Sequence, residues 1–164
     1  MAEAREAVLE RAEATCAARG AQLTPLRRQV LTLVLEADQP VGAYALLDRL
    51  KAGRPGAAPP TVYRALDFLL EHGLIHKVER LNAFVGCAGA PDGHAHSHAH
   101  QHAHGAAHDH PHQFLICGRC GDTQEVTDEA VTRAIAAAAA AVGFRPQRAT
   151  VEVEGTCARC LMAA

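Results

Sequence analysis

The chain has 164 residues, room for one domain or two small ones, and 49% of them are apolar, which is enough to build a core. Charged residues make up 21% and the formal net charge is −2, which excludes a disordered polyelectrolyte and a uniformly basic, histone-like protein. No stretch approaches the ~20 apolar residues of a bilayer span, and the acidic N-terminus lacks the apolar region of a secretory signal. The composition therefore predicts a soluble, cytoplasmic protein with no membrane partner.

The first part of the chain is predicted to be helical. Apolar residues recur at helical spacing over residues 3–19. A second helix is predicted to start at Thr24-Pro25, because the hydroxyl caps the backbone and proline suits the first turn. A third is predicted over residues 43–51, before a break rich in proline and glycine.

A fourth helix, predicted from Thr61 to a stop at Gly73, carries an apolar stripe at the spacing of a packed helix. The stripe leaves Thr61, Tyr63 and Arg64 on the outer face of the first turns. A recognition helix carries its base-reading side chains there, and the helix dipole favours nearby phosphate.

Two short strands are predicted next, over residues 74–79 and 83–87, around a turn at residues 81–82. Helices followed by a hairpin in this order predict a winged helix-turn-helix DNA-binding domain over residues 1–87. Other small α+β domains share this pattern, so the pattern alone does not decide between them.

Residues 88–112 form a low-complexity segment between the two halves of the chain. From His94 to His112, which we call the histidine run, histidine alternates with small or polar residues. Such a segment buries almost nothing and is typical of a flexible linker that can bind metal.

After this linker the pattern changes to that of a small α/β domain over residues 113–164. Extended runs are predicted at residues 114–116 and 123–126, a helix at 128–142 and a strand at 150–154. A sheet this small does not bury its apolar face alone, and dimerisation is the common remedy.

Four of the six cysteines form two pairs of the Cys-x-x-Cys type, Cys117-Gly-Arg-Cys120 and Cys157-Ala-Arg-Cys160. Each pair places two thiolates around one ion, and the second pair completes the tetrahedron that zinc prefers. Two disulfides or a redox dithiol are the alternatives, but a cytosolic chain and the lack of a βαβ pattern disfavour them. The spacing predicts a structural zinc site.

Cys87 ends the second predicted wing strand, and His76 lies on the first. A two-residue turn at residues 81–82 would make His76 and Cys87 cross-strand partners, close enough to share one ion. On spacing alone, an incidental pair of residues is the simpler interpretation.

These residues together resemble a known family, the zinc uptake regulator branch of the ferric uptake regulator superfamily. The resemblance covers residues 10–160 and rests on Pro59-Pro60-Thr61-Val62-Tyr63-Arg64, His76-Lys77-Val78-Glu79, Cys87 and the two cysteine pairs. It implies a homodimer with an N-terminal winged-helix domain, a C-terminal α/β dimerisation domain and about two Zn²⁺ per subunit.

The resemblance also implies a regulatory zinc site at the joint between the domains. Its ligands would be a histidine of the first wing strand, the cysteine ending the wing, a linker histidine and a glutamate after the first cysteine pair. In this sequence they are His76, Cys87, His110 and Glu125. The linker ligand stays open among His108, His110 and His112. One thiolate, two imidazoles and a carboxylate suit zinc better than iron.

The resulting prediction is a repressor that binds double-stranded operator DNA as a zinc-loaded dimer and controls genes of zinc uptake and homeostasis. The predicted DNA contacts are Arg64, Tyr63 and Thr61 on the recognition helix and Arg27, Arg28 and Lys77 at phosphates. An enzyme with a small-molecule substrate is not predicted, since protein ligands fill both metal shells.

Two alternatives stay open at this point. One is a zinc buffer or metallochaperone, in which the histidine run holds further ions. The other is a sensor of iron, manganese or peroxide from the same superfamily.

Overall fold

The computed structural model describes residues 2–87, 112–147 and 149–163. The chain divides into two compact units, Met1–Ala107 and His108–Ala164, each of which has its own secondary structure. The predicted linker at residues 88–112 lies almost entirely outside the described residues, so the predicted domain boundaries stay a prediction.

The N-terminal unit consists of four helices and a hairpin. The helices are α1 (Ala2–Ala18), α2 (Pro25–Leu35), α3 (Ala43–Gly53) and α4 (Pro59–Glu71), and the strands are β1 (Ile75–Val78) and β2 (Ala83–Gly86). The two strands pair antiparallel. This is the order that the sequence predicts for a winged helix-turn-helix.

Local chemistry explains where two of these helices begin. The hydroxyl of Thr24 accepts the backbone N–H of Arg27 at 3.5 Å, and Pro25 occupies the first turn of α2. The α4 helix starts two residues before the predicted Thr61, because Pro59 and Pro60 occupy its first turn, where their missing N–H groups cost nothing.

The core of this unit lies where α4 packs on α2 and α3. The apolar stripe of α4 is buried through Val62, Ala65, Leu66 and Leu69. Because this stripe faces the core, the residues between its members are turned outwards on the first turns of the helix.

The wing hairpin differs from the prediction in its register. A short 3₁₀ turn over Glu79–Leu81 and a left-handed Asn82 at φ 45° separate the strands, so four residues form the turn where two were predicted. His76 therefore pairs with Val85, and the N–H of Cys87 donates to the carbonyl of Leu74 at 3.2 Å. The predicted cross-strand pairing of His76 with Cys87 is wrong.

Even so, the observed register keeps the two side chains on one face of the hairpin. Residues opposite each other on antiparallel strands share a face, and faces alternate along each strand. Because Val85 lies opposite His76 and Cys87 lies two residues beyond Val85, His76 and Cys87 are diagonal neighbours on the same face.

The C-terminal unit is a three-stranded sheet with two helices. Its elements are β3 (His112–Cys117), β4 (Thr123–Val126), α5 (Glu129–Ala141), β5 (Thr150–Gly155) and α6 (Ala158–Met162). The strand order is β4-β3-β5, with β3 antiparallel to β4 and parallel to β5. The short α6 was not predicted from the sequence. The two units together confirm the predicted α+β class.

The apolar side of α5 is only partly covered within its own chain. No residue of α5 is buried, Val131 and Ile135 are half-buried, and Val142 and Phe144 just after the helix are 80% and 65% exposed. The described part of the second unit buries few apolar side chains, chiefly Phe114 and Ile116. None of the described helices is long and apolar enough to cross a bilayer.

Candidate metal centre and nucleic-acid interface

The first turns of α4 present the predicted recognition residues at the surface. Tyr63 is 42% exposed and Arg64 is exposed, whereas Thr61 is half-buried. These side chains lie at the positive end of the helix dipole, on the face opposite the buried stripe. Arg64 carries five N–H donors that can read a purine edge, and Tyr63 adds an aromatic ring beside it.

The structure places the three predicted phosphate contacts in internal interactions. Arg28 Nε lies 2.8 Å from Glu13, and Arg28 also pairs with Glu6 of α1. Hydrogen bonds to these two carboxylates raise the pKa of Arg28 above its usual range. The positive charge of Arg28 is therefore partly offset by two carboxylates of α1. This contact is distant in sequence and was not predicted.

Lys77 and Arg27 are similarly engaged. Lys77 Nζ lies 2.6 Å from a carboxylate oxygen of Glu79. The Arg27 guanidinium stacks 3.5 Å from the centre of the Phe68 ring and donates to the carbonyl of Gln22 at 2.7 Å. Both side chains keep a positive charge at the surface, but each has an internal contact that phosphate would have to compete with or join.

The two cysteine pairs come together at one end of the C-terminal sheet. Cys117 ends β3, directly opposite Gly155 at the end of β5, so the second pair begins two residues beyond the same edge. The sulfurs of Cys117, Cys120, Cys157 and Cys160 all lie within 4.8 Å of one another. The Cys120 and Cys157 sulfurs are 3.7 Å apart.

This spacing fits a tetrahedral zinc site. Thiolate sulfurs bind zinc at about 2.3 Å, which sets neighbouring sulfurs about 3.8 Å apart in a tetrahedron. Zn²⁺ accepts four thiolates, whereas harder cations such as Mg²⁺ prefer oxygen. The four sulfurs are therefore placed to fill the coordination shell of one zinc ion.

Backbone N–H groups favour the thiolate form of two cysteines in this cluster. The N–H of Cys157 donates to the Cys117 sulfur at 3.3 Å and, with those of Cys120 and Arg119, lowers the pKa of Cys117 to about 6. The Cys160 N–H likewise lowers the pKa of Cys157. Hydrogen bonds with the Cys120 and Cys157 side chains raise the pKa of Cys160 to about 12. Four thiols this close together do not all ionise without a cation among them, because the thiolates repel one another. A bound dication removes that repulsion.

Strands β3 and β4 bring together the predicted ligand Glu125 and His112, one of the three candidates for the linker ligand. His112 Nδ1 and Glu125 Oε1 are 3.1 Å apart, with 21% and 14% of their side chains exposed. A carboxylate only accepts, so Nδ1 is the donor in this contact. His112 thus places an imidazole, a common zinc ligand, beside the predicted ligand Glu125. His110 and His108 lie outside the described residues.

The remaining predicted ligands, His76 and Cys87, belong to the N-terminal unit. Strand β1 holds His76, which is buried, and Cys87 follows β2 on the same face of the hairpin. At the cysteine cluster, Arg119 and Arg159 make contacts that were not predicted from the sequence. Both arginines occupy the third position of a Cys-x-Arg-Cys motif. This repetition is the feature of the sequence that could have indicated a shared role.

A winged-helix unit joined to a small α/β unit with a four-cysteine cluster defines the class of metal-dependent DNA-binding regulators. Residues 18–154 match the profile of the Ferric uptake regulator family. This match spans most of the chain, and the chain belongs to that family.

Relatives within the family point to its zinc branch, which confirms the resemblance found in the sequence. The chain is 41% identical to the zinc uptake regulation protein of Escherichia coli K12 over 154 residues, which is 94% of this chain and 81% of that protein. The structure matches a zinc uptake regulator solved with zinc and DNA, with a TM-score of 0.81 and 38% identity, covering 97% of this chain and 96% of the other.

A second solved structure, holo XcZur, gives a TM-score of 0.76 at 44% identity, covering 95% of this chain and 97% of that chain. These similarities do not favour the zinc-buffer alternative, nor that of a sensor for another metal or for peroxide.

Proposed function

We propose that this chain is a zinc-responsive, DNA-binding transcriptional repressor of the cytoplasm that controls genes of zinc uptake. The observation that carries the proposal is the match of nearly the whole chain to a zinc uptake regulator solved with zinc and DNA. The outward face of α4 and the four-cysteine cluster supply the two chemistries that such a regulator needs.

Cys117, Cys120, Cys157 and Cys160 would hold a permanent zinc, whose bonds supply folding energy to a unit with a small apolar core. His76, Cys87, His110 and Glu125 would form the regulatory set, giving about two ions per subunit. The histidine run offers ligands for further ions. Because the regulatory ligands come from both units, they can share one ion only in a restricted arrangement of the units. Zinc binding would therefore favour the arrangement of the units that binds DNA, which couples the two binding events.

The active form is proposed to be a homodimer. Strand β5 is an edge of the described sheet, and Val153 on it is 50% exposed. Val142 and Phe144 are also exposed, and a second copy of the chain would bury apolar side chains left exposed in this unit. A dimer also presents two α4 helices to DNA, which matches an operator with two half-sites.

The decisive experiment titrates zinc against a chelator while measuring binding of the protein to DNA from its own promoter region. We expect specific binding that rises with free zinc and is lost on chelation. A protein that binds this DNA equally well without zinc, or not at all with zinc, would contradict the proposal.

Arg64 gives the sharpest test of the DNA-binding face. Arg64→Ala should weaken specific binding about 10- to 100-fold, because a bidentate contact to a guanine edge contributes roughly 1–3 kcal/mol. Arg11→Ala is the matched control, since Arg11 is an equally charged, exposed residue on α1. Fluorescence anisotropy with operator and with unrelated DNA separates the two variants. Equal loss of operator binding in both would remove α4 from the recognition role.

The contact between His112 and Glu125 predicts a role for His112 in the zinc response. His112→Ala should raise the zinc concentration for half-maximal DNA binding about tenfold, because partners that orient a metal ligand typically affect affinity on that scale. His104→Ala removes a histidine from the same run and serves as the control. The two zinc titrations are compared on one operator, and coincident curves would show that His112 takes no part.

A further inference from the structure

The two cysteine pairs are joined by a reciprocal pair of arginines. Each pair has arginine at its third position, and each arginine reaches across to the other pair. Arg119 Nη1 donates to the carbonyl of Cys160 at 2.7 Å. In the opposite direction, Arg159 Nη2 lies 3.9 Å from the Cys120 sulfur.

The two contacts have different effects on the cluster. The carbonyl of Cys160 belongs to the last turn of α6, where carbonyls have no partner within the helix, so Arg119 caps the element that carries two of the cysteines. Arg159 instead faces a sulfur, and it is held in place by Asp122, whose carboxylate oxygen lies 3.4 Å from Nη2.

The charges of the cluster explain why a cation is useful at the sulfur. Four thiolates around one dication leave an excess of negative charge on the sulfurs. A guanidinium N–H that donates to a thiolate offsets part of this excess charge and so favours the cluster with its ion bound. At 72% exposure of its side chain, Arg159 acts through a solvent-screened contact, so its effect must depend on salt.

We propose that Arg119 and Arg159 are positioning residues that slow the loss of metal from the four-cysteine cluster, Arg119 by fixing α6 and Arg159 by its charge at Cys120. This inference rests on the zinc site of the proposed function. It adds to that site a pair of outer partners that control how firmly the ion is kept.

The test measures the rate at which zinc passes from the full-length protein to an excess of a chromogenic chelator, after a mild chelator has removed weakly held ions. Arg159→Met should speed release about tenfold at low salt, the lower end of the range for outer partners of a metal site. Arg159→Lys should restore most of the retention. The difference between Arg159→Met and wild type should shrink at about 1 M salt, where exposed charges are screened.

Arg119→Met should also speed release, with less dependence on salt, and the double variant should be faster than either. Arg133→Met is the matched control, because Arg133 is an exposed arginine of α5 in the same unit. Cobalt substitution reports on the geometry of the cluster, and an unchanged tetrahedral thiolate spectrum shows that each variant still forms the site.

Release from the double variant at the rate of the Arg133→Met control would overturn the inference while leaving the zinc site intact. If Arg159→Lys releases zinc as fast as Arg159→Met, or if salt leaves their difference from wild type unchanged, the role of charge is overturned. A wild-type protein that retains no zinc after the mild chelator would overturn the four-cysteine site itself, and this inference with it.

Discussion

Replacing Cys117 by serine should remove the tightly held zinc and unfold most of the C-terminal unit. Cys117 is buried at the end of β3, and its sulfur accepts the N–H of Cys157, which begins the segment carrying the second cysteine pair. Few apolar side chains of the described part of this unit are buried, chiefly Phe114 and Ile116. An apolar core of this size does not hold a small domain together by itself.

The magnitudes support a large effect. A structural zinc contributes about 10–16 kcal/mol of apparent binding free energy, while a typical domain is stable by only about 5–15 kcal/mol. Three thiolates hold zinc far more weakly than four, so losing one removes a large part of a free energy that is comparable to the whole stability of the unit. Since β5 and the surface near α5 belong to this unit, the proposed dimer should dissociate as well.

Native mass spectrometry would report the zinc content and oligomeric state of Cys117→Ser, and hydrogen exchange would report the order of β3 and β5. Cys16→Ala is the matched control, because Cys16 is a fully buried thiol of α1 in the other unit. That variant should keep its zinc and lose some stability only in the N-terminal unit. A Cys117→Ser protein with a full zinc complement and protected strands would rule out the structural role of the cluster.

The parts of this fold that were predictable are those that local chemistry determines. The start of α2 follows from the cap at Thr24 and the proline after it, and the buried face of α4 follows from apolar spacing. The four-cysteine cluster was predictable because two Cys-x-x-Cys pairs supply the four thiolates of a tetrahedral zinc site.

The features that were missed depend on contacts distant in sequence or on the conformation of single residues. The wing register was missed because a 3₁₀ turn over Glu79–Leu81 followed by the left-handed Asn82 forms a four-residue turn in place of the predicted two-residue one. The capture of Arg28 by Glu6 and Glu13 depends on how α1 packs against α2. The histidine run offered many equivalent candidates, and only the strand pairing of β3 with β4 places His112 beside Glu125.

Replacing Cys87 by serine should abolish the zinc dependence of DNA binding while leaving both units folded. The backbone of Cys87 is held by its N–H bond to the carbonyl of Leu74, which serine keeps, so the hairpin should lose less than about 0.5 kcal/mol of stability. The hydroxyl of serine is a far poorer zinc ligand than a thiolate. The substitution therefore removes the proposed ligand and leaves the hairpin that carries it intact.

Because Cys87 lies in the hairpin, far along the chain from the four-cysteine cluster, its substitution should affect only the zinc response of DNA binding. Cys87 and His76 share one face of the hairpin, while Glu125 belongs to the other unit, so the proposed regulatory set is incomplete without either unit's ligands. A coupling of about 1–3 kcal/mol between zinc and DNA would appear as a 5- to 150-fold difference in operator affinity with and without zinc. In Cys87→Ser that difference should vanish, whereas the zinc held by the four cysteines should remain.

Arg64→Ala should show the opposite pattern to Cys87→Ser. That variant should bind as much zinc as the wild type and bind the operator poorly at every zinc concentration, because it removes a base contact and no metal ligand. Zinc content by elemental analysis and operator affinity across a zinc titration, measured on both variants, separate sensing from recognition. A Cys87→Ser protein whose operator affinity still rises with zinc as in the wild type would show that the wing does not sense the ion.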